Sequence, residues 1–171
     1  AVVQCRGGKE EAKERFIYNG IHNCESAQQL MGGSKACTYG CLRFGDCVKV
    51  CNFDAIRMNS NNLPEIDEKK CTGCGLCVKA CPRSIITLIP KKERVYLACV
   101  SQNTAKTVKA ACSVGCIACK ICSLPKFTPS GGITMEGNLP EMHYDKEHAF
   151  EGALQKCPNK CFIKDPGELP E

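Results

Sequence analysis

The chain has 171 residues, a formal charge of +5 and 17 cysteines. A cysteine share near a tenth leaves a disulfide scaffold or a metal protein, and an odd total gathered into compact groups favours metal in a reducing compartment. Aromatics are only 6% with no tryptophan, so the apolar core is thin and metal binding is expected to supply folding free energy, leaving the apo-protein poorly folded.

There is no signal peptide and no apolar run near bilayer length; the longest, Ile85 to Pro90, is strand-sized. The chain starts at Ala1 rather than Met, so a fragment or processed product is expected, with any membrane anchor upstream.

Residues 1–35 contain no ligand-spaced group and are predicted as a small helical segment. A charged helix is expected over Lys9–Ile17, and a second runs from an Asn23 N-cap to Met31, stopping at Gly32-Gly33. Cys5 and Cys24 stand alone here and read as packed thiols.

Residues 36–92 read as a two-cluster module. Cys37-x3-Cys41-x5-Cys47-x3-Cys51 comes first, then the strand Leu63–Asp67. Next is Cys71-x2-Cys74-x2-Cys77-x3-Cys81-Pro82, the spacing of bacterial [4Fe-4S] ferredoxins. Gly73 and Gly75 let the backbone approach inorganic sulfide without a Cβ in the way. A zinc ribbon wants two separated C-x2-C pairs and fits poorly. In such modules the fourth cysteine ligates the other cluster. Cluster one is therefore expected on Cys37, Cys41, Cys47 and Cys81, and cluster two on Cys51, Cys71, Cys74 and Cys77. Ile85–Ile89 reads as the closing strand. Residues 93–111 read as a linker of one strand, Val95–Cys99, and one helix, Asn103–Ala111, with Cys99 structural.

Residues 112–171 repeat the module imperfectly. Cys112-Ser-Val-Gly-Cys116 follows Cys37-Thr-Tyr-Gly-Cys41 at an offset of 75 (112 − 37), and Cys157-Pro158 follows Cys81-Pro82 at 76 (157 − 81). Such self-similarity marks a duplicated unit. At offset 76, Cys71, Cys74 and Cys77 become Glu147, Phe150 and Ala153, and Cys51 maps to Lys126 or Phe127. One cluster site is lost as a set, with Phe150 and Leu154 expected to fill its space. The other survives as Cys116, Cys119, Cys122 and Cys157. Cys112 competes with Cys119 for a place in that set, and the compact spacing favours Cys119. Cys161 reads as a buried thiol and His148 as solvated. The fold class is thus α+β, with tandem ferredoxin-like modules of short hairpins and helices carrying three [4Fe-4S] clusters.

Each oxidised four-thiolate cluster adds roughly −2, offsetting the basic excess, because ions at metal sites belong in the charge sum. Bulk charge therefore says little about partners, though a local basic patch can steer an acidic redox protein. No aromatic and basic platform suggests nucleic acid. No acid, base or nucleophile constellation is present, so the chemistry belongs to the clusters. A one-electron relay is the leading reading, and a scaffold or redox sensor with structural clusters is the alternative.

Val3-Gln4-Cys5-Arg6-Gly7-Gly8, Tyr18 to Cys24, Ala36 to Cys47 and Val114 to Cys122 together resemble the B subunit of Rnf-type ferredoxin:NAD⁺ oxidoreductase complexes of anaerobes. The resemblance implies an electron-carrying subunit that takes electrons from reduced ferredoxin and passes them to other subunits. It also implies a peripheral position on the cytoplasmic face of the membrane, with no direct insertion by this segment. The lost site departs from a family that often carries two clusters in its second module.

Overall fold

A computed structural model describes residues 1–93, 95–145 and 150–164; Glu147 and His148, singled out above, lie outside the described residues.

Among the described residues four antiparallel strand pairs carry the fold, two of them hairpins, and their order occurs twice. In the first half, β1 (Val2–Val3) pairs with β4 (Ile86–Thr87), with Val3 opposite Ile86. Between them β2 (Ile56–Met58) pairs with β3 (Pro64–Ile66). In the second half, β5 (Val95–Leu97) pairs with β8 (Phe162–Lys164), with Leu97 opposite Phe162. Inside that pair β6 (Ile133–Glu136) pairs with β7 (Leu139–Met142). Strands this short bury little surface alone. Their inward residues instead feed two cores, Val3, Ile56, Leu63, Ile85 and Ile86 in one half, and Val95, Leu97, Ile133, Phe150 and Phe162 in the other. Cysteines supply much of the remaining buried surface in both.

The helices are equally short. They are α1 (Cys24–Gln29), α2 (Asp46–Lys49), α3 (Leu76–Ala80), α4 (Ala105–Ala111) and α5 (Glu151–Lys156), with a 3₁₀ turn at Ile121–Ser123. Asn23 caps α1 as expected, its side chain accepting from Ser26 N at 2.7 Å.

The helix expected over Lys9–Ile17 does not form. Ala12 bridges to Cys112 and Glu14 to Lys35. Lys13 N–H donates to Ala111 C=O at 3.0 Å, and Lys13 C=O accepts from Ala36 N–H at 2.8 Å. The segment has charge but no apolar stripe to bury as a helix, so its backbone is satisfied by neighbours from both halves. The strand expected in the linker, Val95–Leu97, lies in the second half's outer pair, just as Val2–Val3 does in the first.

Candidate iron–sulfur sites

Three stretches share one backbone path. After Cys41, the second and fourth residues, Arg43 and Gly45, are left-handed (φ 70° and 73°). After Cys71, Gly73 and Gly75 are the same (72° and 78°), as are Ala118 and Lys120 after Cys116 (53° and 62°). Each loop then ends on a cysteine in a helical turn, Cys47 in α2, Cys77 in α3 and Cys122 in the 3₁₀ turn. A left-handed non-glycine residue costs roughly 1–2 kcal/mol, so Arg43, Ala118 and Lys120 hold a path that their own backbone preference disfavours. Alternating left-handed residues make backbone concavities of the kind found at iron–sulfur sites. Midway in each loop stand Cys74, Cys119 and, in the first, Phe44.

The distal cysteines share a second path. Cys51, Cys81 and Cys157 are each followed, three residues on, by a left-handed residue: Asp54 (48°), Ser84 (50°) and Lys160 (49°). The N–H of each donates back to the cysteine carbonyl, at 3.5, 3.1 and 3.1 Å.

The first loop and Cys81 line a cavity of about 350 Å³ whose other cysteine is Cys24. Sequence spacing assigns Cys37 to that place; in the structure Cys37 lines a different cavity, with Cys5, Cys99 and Cys112. The physical reason lies in Phe44, which occupies the middle of the loop where Cys74 and Cys119 stand in the other two. Its ring packs on Tyr18 at 5.2 Å and His22 at 5.6 Å. Arg43 pairs with Glu14, and Asp46 Oδ2 accepts the Cys24 N–H at 2.7 Å. The N-terminal segment thus grips the loop and delivers Cys24 where the loop lacks a thiol. Nothing in the local spacing of Cys24 reveals this. The signal present in the sequence is that Cys41-x5-Cys47 has the length of C-x2-C-x2-C with Phe44 at its centre.

Burial pushes Cys47 up to about 12, helped by the charges of Cys24, Cys81 and Cys77. Cys24 and Cys41 are raised by burial as well. A metal bound by these thiols must displace their protons. Arg83 also lines this cavity; its Nε is buried without a hydrogen-bond partner, and burial lowers its pKa despite the nearby Cys37, Cys81 and Cys41. A buried donor with no acceptor is costly, and a sulfide-bearing group offers one.

In the second loop Cys77 is buried and its pKa raised, by burial and by Cys71. Cys51 and Cys81 pack in the same core as Cys77. Cys74 is exposed, and a Cβ built on Gly73 or Gly75 meets no heavy atom within 4 Å.

The third loop lines a cavity of about 350 Å³ with Cys157; Cys116, Cys119 and Cys122 all border it, whereas Cys112 does not. Cys161 lies against this set. The Cys161 N–H donates to Cys157 Sγ at 3.2 Å and its thiol to Val114 C=O at 3.5 Å, and hydrogen bonding to Cys161 draws Cys116 and Cys157 below the ordinary thiol range. Cys122 is pushed up to about 12 by burial. Where the lost site would lie, Phe150 and Ala153 are buried, with Leu154 packed beside them.

Among the described residues no three His, Cys, Asp or Glu side chains converge as they would round one metal ion. A zinc ion needs sulfurs about 2.3 Å from a single point. A cuboidal cluster puts each thiolate on a different iron, so cysteines spread round a cavity fit a cluster better than zinc.

Known proteins of similar sequence point the same way. A family of 4Fe-4S dicluster domains matches residues 35–88. The chain is 41% identical over 165 residues to the B subunit of the Na⁺-translocating ferredoxin:NAD⁺ oxidoreductase complex of Acetobacterium woodii, covering 96% of this chain and 49% of that protein. It is 39% identical over 160 residues to the B subunit of an ion-translocating oxidoreductase complex of Methanosarcina acetivorans, covering 94% and 60%. It is 48% identical over 116 residues to the B subunit of a proton-translocating ferredoxin:NAD⁺ oxidoreductase complex of Clostridium ljungdahlii, covering 68% and 41%. The chain thus spans between 41% and 60% of the length of these relatives.

Proposed function

We propose that this chain, whose sequence is of the Rnf B-subunit type across nearly its whole length, is an iron–sulfur electron relay. In this reading two ferredoxin-like modules stand in tandem, and their three loops hold three [4Fe-4S] clusters. Cys24, Cys41, Cys47 and Cys81 hold the first, Cys51, Cys71, Cys74 and Cys77 the second, and Cys116, Cys119, Cys122 and Cys157 the third. The observation that carries the reading is the loop path repeated three times, left-handed residues included.

Bound there, a cluster supplies reversible one-electron transfer at a potential set by charge, hydrogen bonds to sulfur and exposure. The chain's own residues do the rest. Cys51 and Cys81 each leave one loop and serve the other, which fixes the spacing of the first two sites. Cys74 and Cys119 are exposed, so two of the three sites reach the surface where electrons can enter or leave. Exposed Lys69, Lys70 and Lys79 flank the second loop and suit an acidic donor by electrostatic steering. Reduced ferredoxin is that donor in this reading, and other subunits of a membrane complex are the acceptors, at the cytoplasmic face. Among the described residues no helix is long and apolar enough to cross a membrane.

The test is stopped-flow mixing of the anaerobically purified chain with reduced ferredoxin, followed by freeze-quench EPR. Rapid reduction that slows with added salt is expected. Clusters that remain oxidised in contact with reduced ferredoxin would mean a structural or sensing part instead.

A further inference from the structure

The cysteines that the three loops leave over are Cys5, Cys37, Cys99, Cys112 and Cys161, and four of these line one cavity. It has a volume of about 460 Å³, against about 350 Å³ at each of the two loop cavities. Cys5, Cys37, Cys99 and Cys112 border it, with Lys35 and Val108 among the other walls. We propose that these four cysteines hold a further [4Fe-4S] cluster, seated between the two halves of the chain and fed by two thiols from each. The proposal rests on the relay reading above and extends it, because it makes the link between halves an electron carrier.

Each half builds its share in the same way. Cys5 follows β1 by two residues, and Cys99 follows β5 by two. Beside them, Gln4 N–H donates to Ile85 C=O and Ala98 N–H to Cys161 C=O, both at 2.7 Å. Cys5 Sγ accepts from Cys41 N–H and Cys99 Sγ from Cys116 N–H, both at 3.4 Å. Cys37 and Cys112 each stand four residues before the first cysteine of a cluster loop, as Cys37-Thr-Tyr-Gly-Cys41 and Cys112-Ser-Val-Gly-Cys116. The repeat thus places two thiols per half on a shared cavity by a pseudo-two-fold relation. The same correspondence sets Cys161 against Ile85, each 1% exposed. Cys161 therefore stands at a core position and outside this set.

A Cβ on Gly7 would come within 3.0 Å of Cys112 Sγ, so the backbone passes there as closely as glycine allows. Lys35 closes the site. It is 1% exposed, and its Nζ donates to Gly7 C=O and to Cys41 C=O, the latter at 3.0 Å. Among the described residues no carboxylate pairs with it. A buried ammonium without a counter-charge is expensive, and a four-thiolate cluster carries net negative charge. The two compensate one another.

The decisive count is native mass spectrometry of the anaerobically purified chain, paired with iron and acid-labile sulfide analysis. Four clusters and about sixteen irons per chain are expected, from four irons in each [4Fe-4S] unit. Three clusters and about twelve irons overturn the proposal and leave the three-loop relay standing. No clusters at all overturns both. Zinc in place of the fourth cluster, or two disulfides among these four cysteines, also overturns it. The double variant Cys5→Ser/Cys112→Ser should lose one cluster and keep the other three, whereas Cys161→Ala should keep all four. If the double variant fails to fold, the wild-type count still decides. Lys35→Met provides a second readout: one cluster's midpoint potential should fall while the rest hold, and four unchanged potentials contradict the placement of its charge.

Discussion

The two halves of the chain solve one structural problem with different materials. In the first half, α2 and α3 pack against each other, and Cys51 and Cys81, the proposed exchanged ligands, pack in the same core. In the second half, α5 takes the place of α3, with Gly152 and Ala153 where Leu76 and Cys77 stand at offset 76 (152 − 76, 153 − 77). Phe150 stands where Cys74 does; it is 3% exposed, and its ring meets Tyr144 edge-on at 5.7 Å. Phe127, at the counterpart of Cys51, packs so near the helix that a Cβ on Gly152 would lie 2.5 Å from its carbonyl oxygen. By contrast, glycines 73 and 75 have no such neighbour within 4 Å. In the proposed reading, apolar packing and a close helix approach take over the work of the metal at this place in the second half.

The comparison breaks most easily on metal removal. Chelation of iron under reducing conditions should abolish hydrogen-exchange protection in the β2–β3 hairpin and α3, because binding free energy there is folding free energy. The β6–β7 hairpin and α5 should retain part of theirs, and equal loss in both halves would contradict the contrast.

Phe150→Ala comes next, at about 3–5 kcal/mol for an aromatic removed from a core, measured by denaturation of the cluster-loaded protein. The same change at Leu76, 38% exposed on the corresponding helix, should cost under about 1 kcal/mol, as surface substitutions usually do.

Gly152→Ala sharpens the contrast. Helix propensity alone favours alanine by about 1 kcal/mol. Overpacking against the Phe127 backbone should cost about 1–3 kcal/mol, so a net loss of thermal stability is expected, and a gain would mean that the helix can move away from Phe127 freely.

The smallest effect is Tyr144→Phe. It removes the hydroxyl that donates to Val95 C=O at 2.9 Å, for about 1 kcal/mol. The loss should be seen as an earlier thermal transition of the second half.

Much of this is legible in the sequence because ligand chemistry fixes local spacing. Cys71-x2-Cys74-x2-Cys77 and Cys116-x2-Cys119-x2-Cys122 each wrap one loop, and the structure follows both. The repeat likewise points to Phe150 at the lost site, and that side chain is in the core. What spacing cannot convey is a thiol delivered from afar. Cys24 reaches its cavity through Phe44 packing tilted on Tyr18 and edge-on to His22, and Asp46 holding its amide, none of which has a sequence period. Cys37 groups with its nearest neighbours in sequence for the same reason, although the cavity it lines draws on both halves. The Lys9–Ile17 segment reads as helical from charge alone, yet its backbone partners lie at Ser34–Ala36 and at Ala111, and long-range bridges override local propensity.

The central claim is that Cys24 supplies the thiol missing at Phe44. Cluster content by native mass spectrometry should fall by one in Cys24→Ser and return in the double variant Cys24→Ser/Phe44→Cys, which restores the C-x2-C-x2-C loop. A Cys24→Ser chain that keeps its full set of clusters would contradict the account.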